Sequence, residues 1–389
     1  MFIMTGDSEA RKEGFIRMKQ LKEEGKKVVG TYCSYTPVEL IEAAGATQVT
    51  LCAVSQDGVI EGEKILPQNT CPMVKASFGM AASDKCPYFH YTDMVIAETT
   101  CDGKKKMFEF LGELRPTHIM QLPQGMSSDQ AESFWTHEMH RAKDALEETL
   151  GVKITEEALH EAICRNNQER RDMLEVYSIG QLEPCPISIR EYCEIMDASG
   201  YSFDRGNTVH EMAEKARKIK EEALKNGAIL TGKGVKEGKS KKPRILITGC
   251  PNIGVRDKIL YALEDAGASV VAFDSCNGVK TMREMVDEHD DPYHAMAVKT
   301  LKANCSVMSP NPGRYVSLKE ACEEFGIDGV VEIVLTFCHT YAIESKKISD
   351  FVREELGLPY LALTSDYSDS DRAQLSTRIN AFIEMLVER

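Results

Sequence analysis

The amino-acid sequence predicts an α/β fold with two doubly wound parallel-sheet lobes and a helical region between them. Short β-rich runs occur in two groups, one in each half of the chain. Helical patterns separate most of these runs, which is typical of parallel strands joined by helical crossovers. Cysteines end or follow corresponding runs in the two halves, which indicates an internal duplication.

The first lobe is predicted over residues 1–128. Its strands are KVVGTY ending at Tyr32, TQVTL ending at Leu51, DMVIAETT ending at Thr100 and THIMQL ending at Leu122. The segment TPVELIEAAG marks the first crossover helix, with Thr36 as the expected N-cap and Glu39 as its partner in a capping box. Pro37 is expected at the first helical position, and Gly45 just after the helix end.

The middle and the second half complete the predicted organisation. Residues 129–242 form a helical region that runs into the Gly- and Lys-rich connector GAILTGKGVKEGKSKKPR. The second lobe, residues 243–389, has the strands RILITG ending at Gly249, SVVAFDS ending at Ser275, GVVEIVLTF ending at Phe337 and YLALTS ending at Ser365. An amphipathic helix, RAQLSTRINAFIEMLVE, follows. Each lobe is expected to have a Rossmann- or flavodoxin-like arrangement.

The charge balance argues against some partners. The 389 residues carry 47 Lys and Arg against 61 Asp and Glu, a formal net charge of −14. Nucleic acids and anionic membranes attract basic proteins, so neither is an expected partner. The stretch MFIMTGDSEARKEGFIRMKQ lacks the apolar core of a signal peptide, and no run of about 18 apolar residues occurs. We therefore expect a cytoplasmic protein.

The thirteen cysteines are the main functional signal. An odd number in a chain expected to be cytoplasmic argues against a disulfide framework. No two cysteines are spaced C-x-x-C, so the local signatures of zinc ribbons, thioredoxin-type sites and ferredoxin loops are missing. Any shared site must be assembled from distant segments by the fold.

Eight cysteines map to one edge of the predicted sheets. They form pairs at matching places in the two halves: Cys33 with Cys250, Cys52 with Cys276, Cys71 with Cys305, and Cys101 with Cys338. In doubly wound sheets, ligands bind at the carboxyl ends of the strands, near the point where the strand order reverses. Cysteines that only fill a core would be scattered over strands and helix faces. We therefore interpret this set as a site.

Three of these cysteines directly precede predicted helix starts: Cys71, Cys101 and Cys338. A helix N-terminus carries partial positive charge and unpaired N–H groups, which favour a thiolate or another anionic centre. The lysines at 104–106 add charge beside Cys101, although a lysine run in a first helical turn is usually only solvated. Thiolates gathered without C-x-x-C spacing favour an iron–sulfur cluster over zinc.

The remaining cysteines are expected to be structural or have no assigned role. Cys164, Cys193 and Cys322 lie within helical patterns, where a core position is the better interpretation. Cys86 and Cys185 have no assigned role.

One segment, GKGVKEGKS, resembles a phosphate-binding loop. The motif G-x-x-x-x-G-K-S requires glycine where this chain has Lys233, and it also requires a preceding strand. The chain is therefore not expected to hold a nucleotide through such a loop.

Long blocks of the sequence carry a family resemblance. They are GTYCSYTPVELIEAAG, LPQNTCPMVKASFG, ETTCDGKKKMFEFL, TGCP, DSCNG, NCSVMSPN, TFCHTYAIES, and TSDYS with the RAQLSTRINAF helix after it. These blocks resemble the 2-hydroxyacyl-CoA dehydratase superfamily, and more closely its double-cubane-cluster branch of anaerobic reductases. The resemblance covers nearly the whole chain and is weakest in the helical middle. One departure is Val307 in CSVM, where relatives often have a second cysteine.

The resemblance implies an iron–sulfur centre. Superfamily subunits hold one 4Fe-4S cubane with three cysteines, and the matching positions here are Cys71, Cys101 and Cys338. Double-cubane members hold two cubanes joined by a bridging sulfide (8Fe-9S) with six cysteines. For the second cubane we choose Cys33, Cys276 and Cys305. Cys250 remains open as a replacement for Cys33 or Cys276.

The resemblance also implies a reaction and partners. Double-cubane members receive electrons from a separate iron–sulfur ATPase, which couples ATP hydrolysis to low-potential electron transfer. We therefore expect a homodimeric oxidoreductase that reduces a small molecule in this ATP-coupled way. The alternative enzyme is a lyase, a subunit of a 2-hydroxyacyl-CoA dehydratase with a single 4Fe-4S cluster. A two-lobed binding protein would explain the lobes but not the strand-end cysteines.

Groups other than sulfur are needed to position the substrate and to deliver protons. Histidine is the side-chain type that exchanges protons most readily under physiological conditions, so His339, next to Cys338, is the candidate catalytic proton donor. A structural histidine that caps or orients the helix is an equally good interpretation. Glu98, Asp102 and Tyr341 are weaker candidates.

Overall fold

The computed structural model describes residues 2–3, 9–126, 128–232, 242–276, 278 and 281–389. Half of the Gly- and Lys-rich connector, including Lys233 of the segment that resembles a phosphate-binding loop, lies outside these residues. The elements up to residue 120 are β1 (Phe2–Ile3), α1 (Glu9–Glu23), β2 (Val28–Thr31), α2 (Val38–Ala43), β3 (Thr47–Thr50), β4 (Cys52–Ala53), α3 (Gln56–Gly62), α4 (Pro72–Ala82), α5 (Pro87–His90), β5 (Met94–Glu98), α6 (Asp102–Gly112) and β6 (Thr117–Met120).

The rest of the chain begins with long helices and then repeats the strand–helix pattern. Its elements are α7 (Asp129–Leu150), α8 (Glu156–Tyr177), β7 (Leu182–Glu183), α9 (Ile189–Tyr201), α10 (Arg205–Lys225), β8 (Ile229–Leu230), β9 (Arg244–Gly249), α11 (Arg256–Asp265), β10 (Ser269–Asp274), α12 (Pro292–Leu301), α13 (Pro312–Glu324), β11 (Gly329–Leu335), α14 (His339–Asp350), β12 (Tyr360–Ser365) and α15 (Arg372–Glu388). Within the described residues, no helix is both long and apolar enough to cross a membrane.

Each half of the chain forms a four-stranded parallel sheet. The strand order is β3-β2-β5-β6 in the first sheet and β10-β9-β11-β12 in the second. In both sheets the second strand along the chain adds to one side of the first, and the third adds to the other side. The switch points are therefore between β2 and β5 and between β9 and β11. The predicted fold class is confirmed, and the eight predicted strands are present.

The described chain divides into two compact units, which we call unit 1 and unit 2. Unit 1 consists of Met1–Glu169, Gly200–Gly206 and Glu284–Asn311, and unit 2 of Arg170–Ser199, Asn207–Arg283 and Pro312–Arg389. This division differs from the predicted ranges 1–128, 129–242 and 243–389. The main difference is the segment 284–311, which comes from the second half of the sequence but belongs to unit 1.

Two buried contacts explain this placement of the segment 284–311. The indole Nε1 of the fully buried Trp135, on α7, donates a hydrogen bond to Thr300 Oγ1 of α12 at 2.8 Å. The buried side chain of Asn167 donates to the carbonyl of Val286 at 2.7 Å and accepts from its N–H at 3.0 Å. The partners are 165 and 119 residues apart along the chain. Local periodicity in a sequence carries no information on contacts at such separations.

Helix α4, which starts after Cys71, is held by close backbone contact with α3. A Cβ atom on Gly79 of α4 would lie 2.1 Å from the carbonyl oxygen of Gly58 and 2.4 Å from the nitrogen of Gly62, both in α3. Only glycine permits this approach, so the three glycines fix the position of α4 and with it the position of Cys71.

Candidate functional site

Cysteines follow the central strands at similar distances in the two sheets. In unit 1, Cys33 comes two residues after the end of β2, and Cys101 comes three residues after the end of β5. In unit 2, Cys250 directly follows β9, and Cys338 comes three residues after the end of β11. Because parallel strands end at one edge of a sheet, each unit has two cysteines beside its own switch point.

Three predicted ligands are the N-cap residues of helices: Cys71 of α4, Cys101 of α6 and Cys338 of α14. None of these thiols makes a side-chain capping hydrogen bond to its helix. A helix N-terminus favours an anionic ligand through its dipole and its N–H groups. The starts of α4 and α6 are neighbours, because a Cβ atom on Gly103 would lie 3.7 Å from Val74 and 3.9 Å from Thr70.

Side-chain exposure separates the predicted ligands from the core cysteines. All six predicted ligands are partly exposed: Cys33, Cys71, Cys101, Cys276, Cys305 and Cys338. The buried cysteines are Cys52, Cys86, Cys193, Cys250 and Cys322. Burial raises the pKa of Cys193 to about 11 and that of Cys322 to about 12, so both thiols stay protonated at neutral pH. Protonated, buried thiols are poor metal ligands.

Cys250 is the alternative ligand for the second cubane, and the structure places it inside unit 2. Its side chain is 1% exposed, and its sulfur accepts a hydrogen bond from the N–H of Leu335 at 3.4 Å. Leu335 is the last residue of β11, so this thiol links the ends of two adjacent strands. The partly exposed Cys33 and Cys276 are better placed to bind a ligand.

Cys164 and Cys185 are also partly exposed, so the core position expected for Cys164 is wrong, and both have partners nearby. The sulfur of Cys164 lies 3.6 Å from both His160 Nε2 and Glu288 Oε2. The thiol of Cys185 donates to the carbonyl of Ile187 at 3.5 Å, and burial raises its pKa. Neither residue follows a strand of the two main sheets.

Cys305 lies in unit 1, not in the unit that contains most of the second half of the sequence. Cys33 and Cys305 both pack against the hydrophobic core that includes Trp135. The amide of Asn311 donates to the carbonyl of Cys305 at 3.0 Å and stabilises its loop. Unit 1 therefore contains four predicted ligands, Cys33, Cys71, Cys101 and Cys305, and unit 2 contains Cys276 and Cys338.

The backbone is left-handed directly before two predicted ligands, which Asn tolerates at one position and which strains Phe at the other. Asn304 precedes Cys305 with a φ of 51°, and Phe337 precedes Cys338 with a φ of 64°. The left-handed conformation costs a bulky residue about 1–2 kcal/mol. Phe337 is also exposed, so core packing does not compensate for this strain. Strain of this kind persists where a structure fixes a functional geometry.

Lys104 lies at the same edge of the unit 1 sheet, and the sequence did not predict this position. Its half-buried side chain turns back from α6, and Nζ donates to the carbonyl of Tyr32, the residue before Cys33, at 2.9 Å. Lys105 and Lys106 are exposed, and each pairs with a carboxylate of its own helix. The expectation of a solvated run therefore fits Lys105 and Lys106 but is wrong for Lys104.

The groups around Lys104 are acidic. Burial lowers the pKa of Lys104, but nearby thiols and a carboxylate outweigh this effect and raise its pKa overall. These groups are Cys33, Cys52, Cys101 and Glu98. The ammonium group is therefore charged at neutral pH, and it lies near two predicted ligands, Cys33 and Cys101.

Glu98 is a buried carboxyl group at the end of β5. Its side chain is 0% exposed, and Oε1 accepts a hydrogen bond from the hydroxyl of Thr36. No described group hydrogen-bonds to Oε2. Burial raises the pKa of Glu98 to about 7, against the opposing effects of Thr36 and Lys104. Glu98 can therefore gain or lose a proton near neutral pH.

The prediction that Thr36 caps the first crossover helix is wrong. Helix α2 begins at Val38 with Pro37 as its N-cap, and no side-chain capping hydrogen bond is made. The hydroxyl of Thr36 instead binds the carboxyl group of Glu98, 62 residues away along the chain. The predicted helix end is confirmed, because Gly45 has a positive φ of 69°.

The other polar candidates have different surroundings. His339 is the exposed first residue of α14, and Asp102 is the exposed first residue of α6. Tyr341 is buried, and its ring lies 5.2 Å from the guanidinium carbon of Arg314. Tyr341 therefore belongs to the core of unit 2.

Arg314 connects the segments of unit 2 that carry predicted ligands. Its buried guanidinium contacts Asp274 of β10 at 3.2 Å, Glu332 of β11 at 3.3 Å and Glu344 of α14 at 2.7 Å. Cys276 follows Asp274 by two residues, and Cys338 caps the helix that carries Glu344. One buried cation therefore supports both ligand segments of this unit.

The donor chemistry fits an iron–sulfur cluster. Over the described parts of the chain, no three His, Cys, Asp or Glu side chains form a group that could hold a metal ion. The predicted ligands are nevertheless all partly exposed thiols, the ligand type that holds iron–sulfur clusters. A bound cluster would supply one-electron chemistry at low potential. This chain would supply the helix N–H groups and the ammonium of Lys104.

The pKa of Glu98 leads to a spectroscopic prediction. The carboxylic acid band of a protonated Glu98 should remain in the infrared spectrum at pH 6, where exposed carboxyl groups are ionised, and should disappear with a midpoint near pH 7. Glu98→Gln should remove the band. Thr36→Val should raise the midpoint, because the hydroxyl stabilises the ionised form. A titration of this band that is complete below pH 5 would contradict the buried, high-pKa carboxyl group.

Comparison with known proteins supports the resemblance. The family described as 2-hydroxyglutaryl-CoA dehydratase, D-component, matches residues 33–386. The Escherichia coli (strain K12) protein YjiM, provisionally named a dehydratase subunit, is 42% identical over 97% of this chain and 96% of its own length. The (R)-phenyllactyl-CoA dehydratase beta subunit of Clostridium sporogenes is 24% identical, with 95% and 94% of the two chains covered. A subunit of the benzoyl-CoA reductase of Thauera aromatica is 22% identical, with 90% and 88% covered. The chain therefore belongs to the 2-hydroxyglutaryl-CoA dehydratase D-component family, within the 2-hydroxyacyl-CoA dehydratase superfamily.

Proposed function

We propose that this chain is an iron–sulfur reductase that carries out low-potential, ATP-coupled reduction of a small molecule. The observation that carries the proposal is the set of six partly exposed thiols, five of which lie at strand ends or helix starts, with Cys305 in the loop between α12 and α13. Relatives named as subunits of dehydratases and of a reductase support an enzyme of this superfamily. The proposed cofactor is a double-cubane cluster.

The proposed ligands form two groups. Cys71, Cys101 and Cys338 hold one cubane, and Cys33, Cys276 and Cys305 hold the other. Partial exposure, helix starts without side-chain caps and the strained Phe337 before Cys338 support this assignment. The burial of Cys250 supports Cys33 and Cys276 in its place.

Two groups are proposed for proton delivery. His339 is the proposed catalytic proton donor, because it is exposed at the start of α14 beside Cys338. Glu98, a residue of unit 1, is the second proposed donor, and its pKa of about 7 supports this role. The two donors differ in access to water, since Glu98 is fully buried.

The proposed partner is a separate iron–sulfur ATPase, and the protein is proposed to act in the cytoplasm as a homodimer. The segment GKGVKEGKS has Lys233 where a phosphate-binding loop requires glycine. ATP is therefore expected to act through the partner.

A second candidate function is a 2-hydroxyacyl-CoA dehydratase subunit with a single 4Fe-4S cluster. The names of the relatives favour it, because both YjiM and the Clostridium sporogenes protein carry dehydratase names. In that case Cys71, Cys101 and Cys338 would be the complete ligand set, and Cys33, Cys276 and Cys305 would hold no iron.

Serine substitutions test the ligand assignment. Cys101→Ser should lower the iron content of anaerobically purified protein by roughly half or more, because a hydroxyl is a poor ligand for soft iron–sulfur centres. Cys322→Ser is the matched control, since Cys322 is buried on α13 with a pKa of about 12. It should keep full iron and lose about 1 kcal/mol of stability. Wild-type iron in Cys101→Ser, together with iron loss in Cys322→Ser, would refute the assignment.

Electron delivery tests the proposed partner. The purified chain with ATP and a chemical reductant should show no turnover of a reducible small molecule. Addition of the cognate iron–sulfur ATPase should start ATP-dependent turnover, because ATP hydrolysis would take place on that protein. Full ATP-dependent activity of this chain alone would contradict the assignment of ATP hydrolysis to the partner.

A further inference from the structure

Three adjacent lysines of α6 differ sharply in their surroundings. Lys105 pairs with Asp102 at 3.3 Å and Lys106 with Glu109 at 2.7 Å, and both lysines point into solvent. Lys104 is half-buried, and its Nζ donates to the carbonyl of Tyr32 at 2.9 Å. The described structure shows no salt bridge from Lys104 to a carboxylate.

The position of Lys104 is fixed from two sides. Its backbone lies in the first turn of α6, one turn after the N-cap Cys101. Its side chain is held by the residue that precedes Cys33. The ammonium therefore lies between the cysteine that follows β2 and the cysteine that follows β5, the two strands that flank the switch point of unit 1.

A fixed positive charge at this position affects the reduction of a bound cluster as well as the binding of anions. An electron added to a bound cluster increases its negative charge. A positive charge held nearby in a partly desolvated site stabilises that state, whereas an exposed charge is screened by water and salt. The charge and hydrogen bonds around a cluster are among the factors that set its reduction potential.

We propose that Lys104 is a positioning residue that raises the reduction potential of the iron–sulfur centre by stabilising its reduced, more anionic state. This inference rests on the proposed function. Electrostatic interaction of Lys104 with Cys33, Cys52 and Cys101 supports the placement, since it shows that the ammonium is close to the strand-end thiols.

The test compares matched substitutions in the full-length, anaerobically purified chain. Lys104→Met removes the charge, and Lys104→Arg keeps it. Lys105→Met removes the same charge from the neighbouring, exposed position. Iron and sulfide are counted first, and an EPR-monitored titration with redox mediators then gives the midpoint potential of each variant. Lys104→Gln, which keeps a hydrogen-bond donor, replaces Lys104→Met if that variant does not fold.

We expect wild-type iron in all variants and a more negative potential in Lys104→Met alone. The expected size is about tenfold in the reduction equilibrium, which corresponds to about 59 mV for one electron. Lys104→Arg should stay near the wild-type value. Loss of the cluster in Lys104→Met with retention in Lys104→Arg would also support the role of the charge.

Three results would overturn the inference. They are an unchanged potential in Lys104→Met, an equal shift in Lys105→Met, and loss of the cluster in both Lys104→Met and Lys104→Arg. A wild-type chain without iron is a different result, because it would refute the proposed function before the variants are compared.

Discussion

Parallel strands all end at the same edge of their sheet, and the rest of the candidate site depends on this constraint. In each sheet the two central strands send their connections to opposite sides, which leaves space beside their ends. Cys33 and Cys101 follow these strands in unit 1, and Cys250 and Cys338 follow them in unit 2. Residues that are far apart in sequence are thereby placed at one edge without any local binding motif.

Electrostatics at this edge favour an anionic centre. In unit 1, the starts of α4 and α6 lie side by side, and the ammonium of Lys104 lies near Cys33 and Cys101. In unit 2, the buried Arg314 supports the segments that carry Cys276 and Cys338. Glu98 adds a carboxyl group that exchanges a proton near pH 7. Positive charge and helix N–H groups stabilise an anionic centre, and a carboxyl group with this pKa can donate a proton near neutral pH.

The main strands and the helix starts at cysteines could be predicted from the sequence, because β-branched runs and capping patterns are local signals. Side-chain direction could not be predicted in the same way. Thr36 lies in a sequence pattern typical of an N-cap, but its side chain binds Glu98. Lys104 lies in a lysine run typical of a solvated helix face, but its side chain turns inward. The position of Cys305 in unit 1 depends on Trp135 and other contacts across more than a hundred residues. Such contacts produce no periodic pattern in a single sequence.

The central claim is that six partly exposed thiols, five at strand ends or helix starts and one in a loop, hold two cubanes. Iron and acid-labile sulfide per chain, counted in strictly anaerobic wild-type protein, test it most directly. The claim predicts about eight irons, two cubanes of four irons each, per chain. About four would contradict the second cubane and favour the single-cluster dehydratase subunit, and an iron-free, colourless protein would contradict the cluster altogether.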